Sequence, residues 1–119
     1  MKKISVAIIG VGRFGANYLR TLNDIQGADV RWICSSKQKT LDVAALKINL
    51  KSDVKKTTNY KDILKDKNID AVIISTPGST HYQIAKDTLS AGMHALVEKP
   101  ICLKSMQVED LIKISKKKK

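Results

Sequence analysis

A chain of 119 residues, 43% of them hydrophobic, is long enough to bury one core and too short for two typical domains. This composition excludes a disordered chain, and no apolar run reaches the roughly 18 residues that a membrane span needs. The formal net charge of +11, to which the four lysines at 116–119 contribute, favours anionic partners: nucleotides, acidic metabolites or nucleic acid.

Cys34 and Cys102 are isolated thiols, with no CxxC pair and no histidine at ligand spacing. The sequence therefore supports neither a disulfide framework nor a zinc or other metal site, and we expect a reducing, cytoplasmic setting. Lys2 and Lys3 precede an apolar stretch as in a signal peptide. Arg13 interrupts this stretch before a small-residue cleavage site, so we do not expect a leader.

The first structural unit consists of a strand, a glycine turn and a helix. Residues 4–9 form an apolar run rich in β-branched side chains, which is typical of a strand buried on both faces of a parallel sheet. Gly27 occupies the position of a left-handed residue that ends the helix. The apolar residues at helical spacing are Phe14, Tyr18, Leu19, Leu22 and Ile25.

The same alternation continues to the end of the chain. It predicts a doubly wound α/β sheet of parallel strands with helices on both faces, built from right-handed βαβ units. We expect strands at 30–34, near Val54, at 71–75 and at 94–98. We expect a helix that Thr40 opens, a turn of helix at 62–65, a helix that Ser79 or Thr80 caps and Gly92 closes, and a last helix from Ser105.

The turn after the first strand reads GVGRFG, in the strand–turn–helix context of a dinucleotide-binding motif. Gly10 permits the sharp turn, Gly12 lets the backbone approach a pyrophosphate, and Gly15 lets the helix pack closely on the strand. The N–H groups of the helix N-terminus then face the phosphates. We assign Arg13 and Phe14, inside the motif, to the cofactor contact as well.

The end of the second strand predicts which dinucleotide binds. NAD sites place an acidic residue there for the ribose hydroxyls, whereas this chain has Ser35, Ser36 and Lys37. Asp29 precedes the predicted strand and should lie at the wrong end of the sheet. The hydroxyls and the ammonium group suit a 2′-phosphate, with Lys39 and Arg13 as helpers, so we expect NADP(H) in preference to NAD(H). The alternative is that Lys37 is an ordinary surface lysine.

From residue 69 the chain reads IDAVIISTPGSTHYQIAKDTLSAGMHALVEKPI. This stretch, in the correct order after GVGRFG, resembles the Gfo/Idh/MocA family, the oxidoreductases named partly for glucose-fructose oxidoreductase and inositol dehydrogenase. The resemblance implies a Rossmann-type NAD(P)-binding domain over residues 1–115, followed by a basic tail at 116–119. In full-length members it implies hydride transfer between a nicotinamide cofactor and a sugar, polyol or related carbonyl compound.

Several site residues follow from this segment. Thr76 and Pro77 come directly after a strand, at the carboxyl edge where open α/β sheets bind ligands. Gly78 stands where the family more often has asparagine, which weakens a side-chain contact with the cofactor there. His81 falls in the first turn of the next helix. It contacts cofactor or substrate, or it caps and packs the helix.

The EKP segment carries the predicted catalytic group. The resemblance implies that Lys99 lies against nicotinamide and substrate and helps to polarise or protonate the reacting oxygen. Burial near a positive cofactor would lower the pKa of Lys99 and suit it to this role. We expect Glu98 to orient Lys99 or to contact the nicotinamide ribose.

The resemblance covers only the cofactor-binding half of a typical member. We therefore expect the sheet to be incomplete at its C-terminal edge, and a substrate to be bound only in a longer parent. The chain is a fragment of a longer oxidoreductase, a product that ends early, or a free-standing nucleotide-binding or oligomerising module that pairs through its open edge. A nucleic-acid-binding module, prompted by the pI of about 9.8, is opposed by scattered lysines and few aromatic residues.

Overall fold

The computed structural model describes residues 3–48, 53–98 and 104–117. The strands are β1 (Ile4–Ile9), β2 (Ala28–Cys34), β3 (Lys55–Thr57), β4 (Ala71–Ile74) and β5 (His94–Val97). The helices are α1 (Arg13–Asp24), α2 (Gln38–Ile48), α3 (Lys61–Leu64), α4 (His81–Ser90) and α5 (Ser105–Lys117), with a 3₁₀ turn at Gly78–Thr80.

The five strands form one sheet in the order β3-β2-β1-β4-β5, and every neighbouring pair is parallel. β1 lies at the centre, and its successive side chains enter two separate hydrophobic clusters. Ile8 packs with Leu19 and Leu41 of α1 and α2, whereas Ala7 packs in the cluster that contains Ile84 and Leu111 of α4 and α5. Helices therefore cover both faces, and the predicted Rossmann-like α/β fold is confirmed.

The chain passes from β1 to β2 on one side and reaches β4 on the other side of β1. This reversal of strand order opens a crevice at the carboxyl ends of the strands, directly above β1. The described part of β5 pairs only with β4, so β5 forms one edge of the sheet in the described residues.

Three local predictions were wrong. Gly27 does not end α1, because Ile25 leaves the helix in an extended conformation and the only described glycines with positive φ are Gly10 and Gly92. Thr40 lies inside α2, which begins at Gln38. β2 begins at residue 28, so Asp29 lies inside this strand and does not precede it.

α5 ends at Lys117, and its last two residues are exposed members of the basic segment expected at 116–119. Gly92 closes α4 with φ +83, as predicted. Thr80 is the N-cap residue of α4, but its side chain makes no capping bond. Its hydroxyl donates instead to the Pro77 carbonyl oxygen at 2.6 Å.

Each of the three tyrosines donates a hydrogen bond to a carboxylate on another part of the fold, and each bond is 2.6 Å long. These tyrosine joints connect segments that are 27 to 80 residues apart in the chain. They are Tyr18 with Glu98, Tyr60 with Asp87, and Tyr82 with Asp110.

Candidate functional site

The three glycines of the first turn meet three different environments. A Cβ at Gly10, where φ is +94, would lie 2.6 Å from the Ser75 carbonyl oxygen. A Cβ at Gly15 would lie 1.6 Å from the Gly10 carbonyl oxygen. The described part of the chain places nothing within 4 Å of a Cβ at Gly12. Packing of the protein therefore demands glycine at the first and third positions, and leaves open space at the second.

The N-terminus of α1 faces this open space. Gly12 is its N-cap residue, no side chain caps the helix, and the first turn contains no acidic residue. The amide N–H groups of the first turn have no partners inside the helix, and the helix dipole adds a partial positive charge there. This arrangement suits a phosphate group. Arg13 and Phe14 form the first turn, but their side chains lie outside the described residues.

The glycine turn opens into a carboxyl-edge cleft of about 590 Å³, which lies within the usual size range of small-molecule and cofactor sites. The cleft gathers residues from the ends of β1, β2, β3 and β4. Predicted site residues in its lining are Gly10, Gly12, Ser35, Ser36, Lys37, Thr76 and Pro77.

The end of β2 supplies the polar wall of the carboxyl-edge cleft. Ser35, Ser36 and Lys37 lie there together, and none of the described lining residues is Asp or Glu. Asp29 lies at the opposite end of β2, where its carboxylate pairs with the Arg31 Nε atom at 3.0 Å. The position after β2 at which NAD sites carry an acidic residue thus has no Asp or Glu among the described residues of the cleft.

Of the predicted site residues that follow β4, some line the cleft and others do not. Thr76 and Pro77 line the cleft, whereas Gly78 begins the 3₁₀ turn and is not in the lining. His81 is only 1% exposed, and its Nε2 atom donates to the Thr76 carbonyl oxygen at 2.7 Å. This burial favours the packing alternative for His81 over direct contact with a ligand.

The EKP segment is described only in part. Lys99, the predicted catalytic residue, lies outside the described residues. Glu98 follows β5, and its N–H donates to the Ile74 carbonyl oxygen at 3.0 Å. Its Oε2 atom accepts the hydrogen bond from Tyr18, which the sequence analysis had treated only as an apolar position of α1.

One wall of the cleft, the connection from β3 to α3, was not predicted from the sequence. Thr58, Asn59 and Tyr60 line it there. The Asn59 side chain accepts a hydrogen bond from the Lys61 N–H at 3.1 Å, which fixes the entry into α3. Burial and the bond to Asp87 raise the pKa of Tyr60 to about 12. An Asn two residues before a helix was the available signal for this turn.

A family model described as "Oxidoreductase family, NAD-binding Rossmann fold", GFO_IDH_MocA, matches residues 4–119. The chain belongs to this family. The resemblance to Gfo/Idh/MocA proteins predicted from the sequence is therefore confirmed, and the chain has a nicotinamide dinucleotide-binding domain of an oxidoreductase.

Relatives of this Gfo/Idh/MocA domain are longer proteins. A glycosyl hydrolase family 109 protein of Shewanella baltica is 36% identical over 109 residues, which cover 87% of this chain and 24% of that protein. The solved structure of myo-inositol 2-dehydrogenase from Lactobacillus plantarum is similar with a TM-score of 0.84 and 31% identity, over 98% of this chain and 34% of that one.

The crystal structure of GenD2 from gentamicin A biosynthesis, in complex with NAD, is similar with a TM-score of 0.89 and 25% identity. The match covers 99% of this chain and 33% of that one. The Gfo/Idh/MocA domain described here therefore spans about a quarter of the curated relatives and a third of these solved structures. No described helix is both long enough and apolar enough to cross a membrane.

Proposed function

We propose that this chain binds the dinucleotide through the GVGRFG turn, for hydride transfer to a sugar, polyol or related carbonyl compound within a longer protein. The observation that carries the proposal is the open position at Gly12, between two glycines that packing demands. It lies at an uncapped helix N-terminus beside a cleft of about 590 Å³. Titration with NADPH and NADH, followed calorimetrically, tests it, and absence of binding by either contradicts it.

We further propose that the site prefers NADP(H). The Ser35 and Ser36 hydroxyls and the Lys37 ammonium are available to a 2′-phosphate, and no described carboxylate in the cleft repels it. A hydrogen bond to a charged group contributes about 1.5–3 kcal/mol when buried, and less at an exposed lysine. We expect Lys37→Glu to weaken NADPH binding roughly tenfold or more and to leave NADH binding within about twofold.

Lys113 provides the matched control for this experiment. It is an exposed lysine of α5 and lines a groove between α4 and α5, outside the described lining of the carboxyl-edge cleft. Lys113→Glu changes the net charge of the chain by the same amount. Equal losses of NADPH affinity in the two variants would reveal a general electrostatic effect, and tighter binding of NADH by the unmodified chain would contradict the NADP preference.

We propose Lys99 as the catalytic residue, polarising or protonating the reacting oxygen of the substrate. Arg13, Phe14 and Gly78 remain proposed cofactor contacts that titrations of alanine variants would test, whereas we propose a packing role for the buried His81. In the longer protein, Lys99→Met should abolish turnover and retain dinucleotide binding. Turnover at the unmodified rate would contradict the assignment.

The names of the relatives also suggest a second reaction on sugars. A similar curated protein of Shewanella baltica is named a glycosyl hydrolase family 109 protein, and one of Shewanella oneidensis is named alpha-N-acetylgalactosaminidase. A similar solved structure is a myo-inositol 2-dehydrogenase. Some glycosidases depend on NAD and do not use the usual carboxylate pair. Net formation of reduced cofactor from a polyol supports oxidoreduction, whereas release of free sugar from a glycoside without net reduction supports hydrolysis.

We also propose that two copies pair through β5. The opposite edge strand, β3, carries exposed Lys55 and Lys56, which oppose strand addition, whereas β5 exposes Leu96 to 55%. Leu96→Lys should shift a dimer to a monomer in light scattering, and a strictly monomeric unmodified chain would contradict pairing.

We place the protein in the cytoplasm, which cell fractionation tests. Scattered lysines do not favour nucleic acid as a partner.

A further inference from the structure

Tyr18 connects the dinucleotide-binding helix to the end of β5. Its hydroxyl donates to the Glu98 Oε2 atom at 2.6 Å, across 80 residues of sequence. The Tyr18 ring packs against the first hydrophobic cluster, beside Leu19, so the hydroxyl is held by a partly buried side chain. The hydrogen bond to Glu98, together with burial, raises the pKa of Tyr18, so the phenol remains a donor at neutral pH.

Glu98 lies at the end of β5, outside the described lining of the carboxyl-edge cleft and on the β4 side of β1. Ser35, Ser36 and Lys37 follow β2 on one side of β1, whereas Thr76 and Glu98 follow β4 and β5 on the other. A pyrophosphate at the β1 turn directs one nucleotide half toward each side. Because the adenosine half is assigned to the β2 side, the nicotinamide riboside extends toward the ends of β4 and β5.

We propose that Tyr18 is a positioning residue, which holds the Glu98 carboxylate ready to accept hydrogen bonds from the nicotinamide riboside. This inference rests on the proposed function and deepens it. A carboxylate can accept several hydrogen bonds at once, so the bond from the phenol does not by itself exclude a ligand donor. A free glutamate side chain loses conformational freedom when it binds a ligand, and the bond from Tyr18 removes part of that freedom beforehand.

The test compares Tyr18→Phe with Tyr82→Phe, using the full chain. Tyr82 makes a bond of the same length to Asp110, and both residues line a separate groove between α4 and α5. The probes are NADPH and 2′,5′-ADP, since the second compound contains the adenosine half and lacks the nicotinamide riboside. Calorimetry gives both dissociation constants for each variant.

We expect Tyr18→Phe to weaken NADPH binding about fivefold to tenfold and to change 2′,5′-ADP binding less than twofold. Tyr82→Phe should change neither constant, even if it lowers the melting temperature. Glu98→Gln should weaken NADPH selectively, and the double variant with Tyr18→Phe should bind no more weakly than Glu98→Gln alone. A merely structural role would not produce this separation between the two probes.

Three results would overturn the inference. They are unchanged NADPH binding by Tyr18→Phe, equal weakening of both probes, and losses that add fully in the double variant. If Tyr18→Phe does not fold, the selective loss in Glu98→Gln becomes the deciding measurement. An unmodified chain that binds 2′,5′-ADP as tightly as NADPH refutes the inference and leaves the adenosine site standing, whereas binding of neither probe refutes the proposed function as well.

Discussion

The comparison of Gly12→Ala with Gly15→Ala separates binding from packing within one motif. At Gly12 the described chain leaves the space around a new Cβ free, so the folded structure accommodates it. Alanine is a poorer N-cap residue than glycine, which lowers the free energy of unfolding by roughly 0.5–1 kcal/mol. For a chain of this size, that change lowers the melting temperature by roughly 2–6 °C.

The same methyl group occupies the space in which the pyrophosphate would approach the backbone. Loss of one hydrogen bond to a charged group corresponds to about 1.5–3 kcal/mol, so the dissociation constant for NADPH should rise roughly 10-fold to 150-fold. At Gly15 the added Cβ would lie 1.6 Å from the Gly10 carbonyl oxygen. Helix and turn would have to separate, which should destabilise the fold by about 3 kcal/mol or more.

Thermal unfolding and calorimetric titration of both variants check this reasoning. The expected pattern is a folded Gly12→Ala that binds NADPH weakly, and a Gly15→Ala with a much lower melting temperature. Wild-type affinity in Gly12→Ala would refute the assignment of the open space to a phosphate. A wild-type melting temperature in Gly15→Ala would refute the packing argument.

Three further predictions concern stability and reactivity. Gly92→Ala, at φ +83, should lower the free energy of unfolding by about 1 kcal/mol, whereas Gly27→Ala, without positive φ, should not lower it; chemical denaturation compares the two. Burial raises the pKa of Cys34 from 9.0 to about 11. In a chain whose other cysteine is replaced by serine, iodoacetamide at pH 8 should therefore alkylate the native Cys34 thiol roughly 100-fold more slowly than the thiol of the unfolded chain. Equal alkylation rates would contradict the burial of Cys34. The hydrogen bond from the Trp32 indole lowers the pKa of Asp66 below 3.8, so the stability that this bond contributes is present above that pH and is lost as the pH falls through the lower pKa of the folded state. Asp66→Asn should therefore lose less unfolding free energy than the unmodified chain when the pH falls below about pH 4. An unchanged acid-unfolding profile would contradict a contribution of Asp66 to this pH dependence.

The parts of the fold that could be predicted from the sequence are those with strong local patterns. β1 has the expected bounds, Ile4–Ile9, because an apolar run rich in β-branched residues between a lysine and a glycine has few alternatives. The turn glycines could be assigned because the motif has a fixed order of strand, turn and helix. The start of α2 was displaced because Thr40 has the character of a cap, whereas the helix begins at Gln38 without such a signal.

The parts of the site that depend on long-range contacts could not be predicted. Periodicity gives a helical face for Tyr18, but nothing local connects it to Glu98, 80 residues later. The direction of the His81 side chain depends on the Thr76 carbonyl oxygen, whose position follows from the exit of β4 and the 3₁₀ turn. These residues are brought together by tertiary packing, which composition and spacing do not encode directly.

Each of the three tyrosine joints can be followed separately by NMR. Protein produced with 3-fluorotyrosine would contain one fluorine label at each joint and none elsewhere, because the sequence has three tyrosines and each forms one joint. Fluorine NMR during heating would then reveal the order in which Tyr18, Tyr60 and Tyr82 release their carboxylates. The same three resonances, followed during a coenzyme titration, would show whether occupancy of the cleft tightens one joint or all of them.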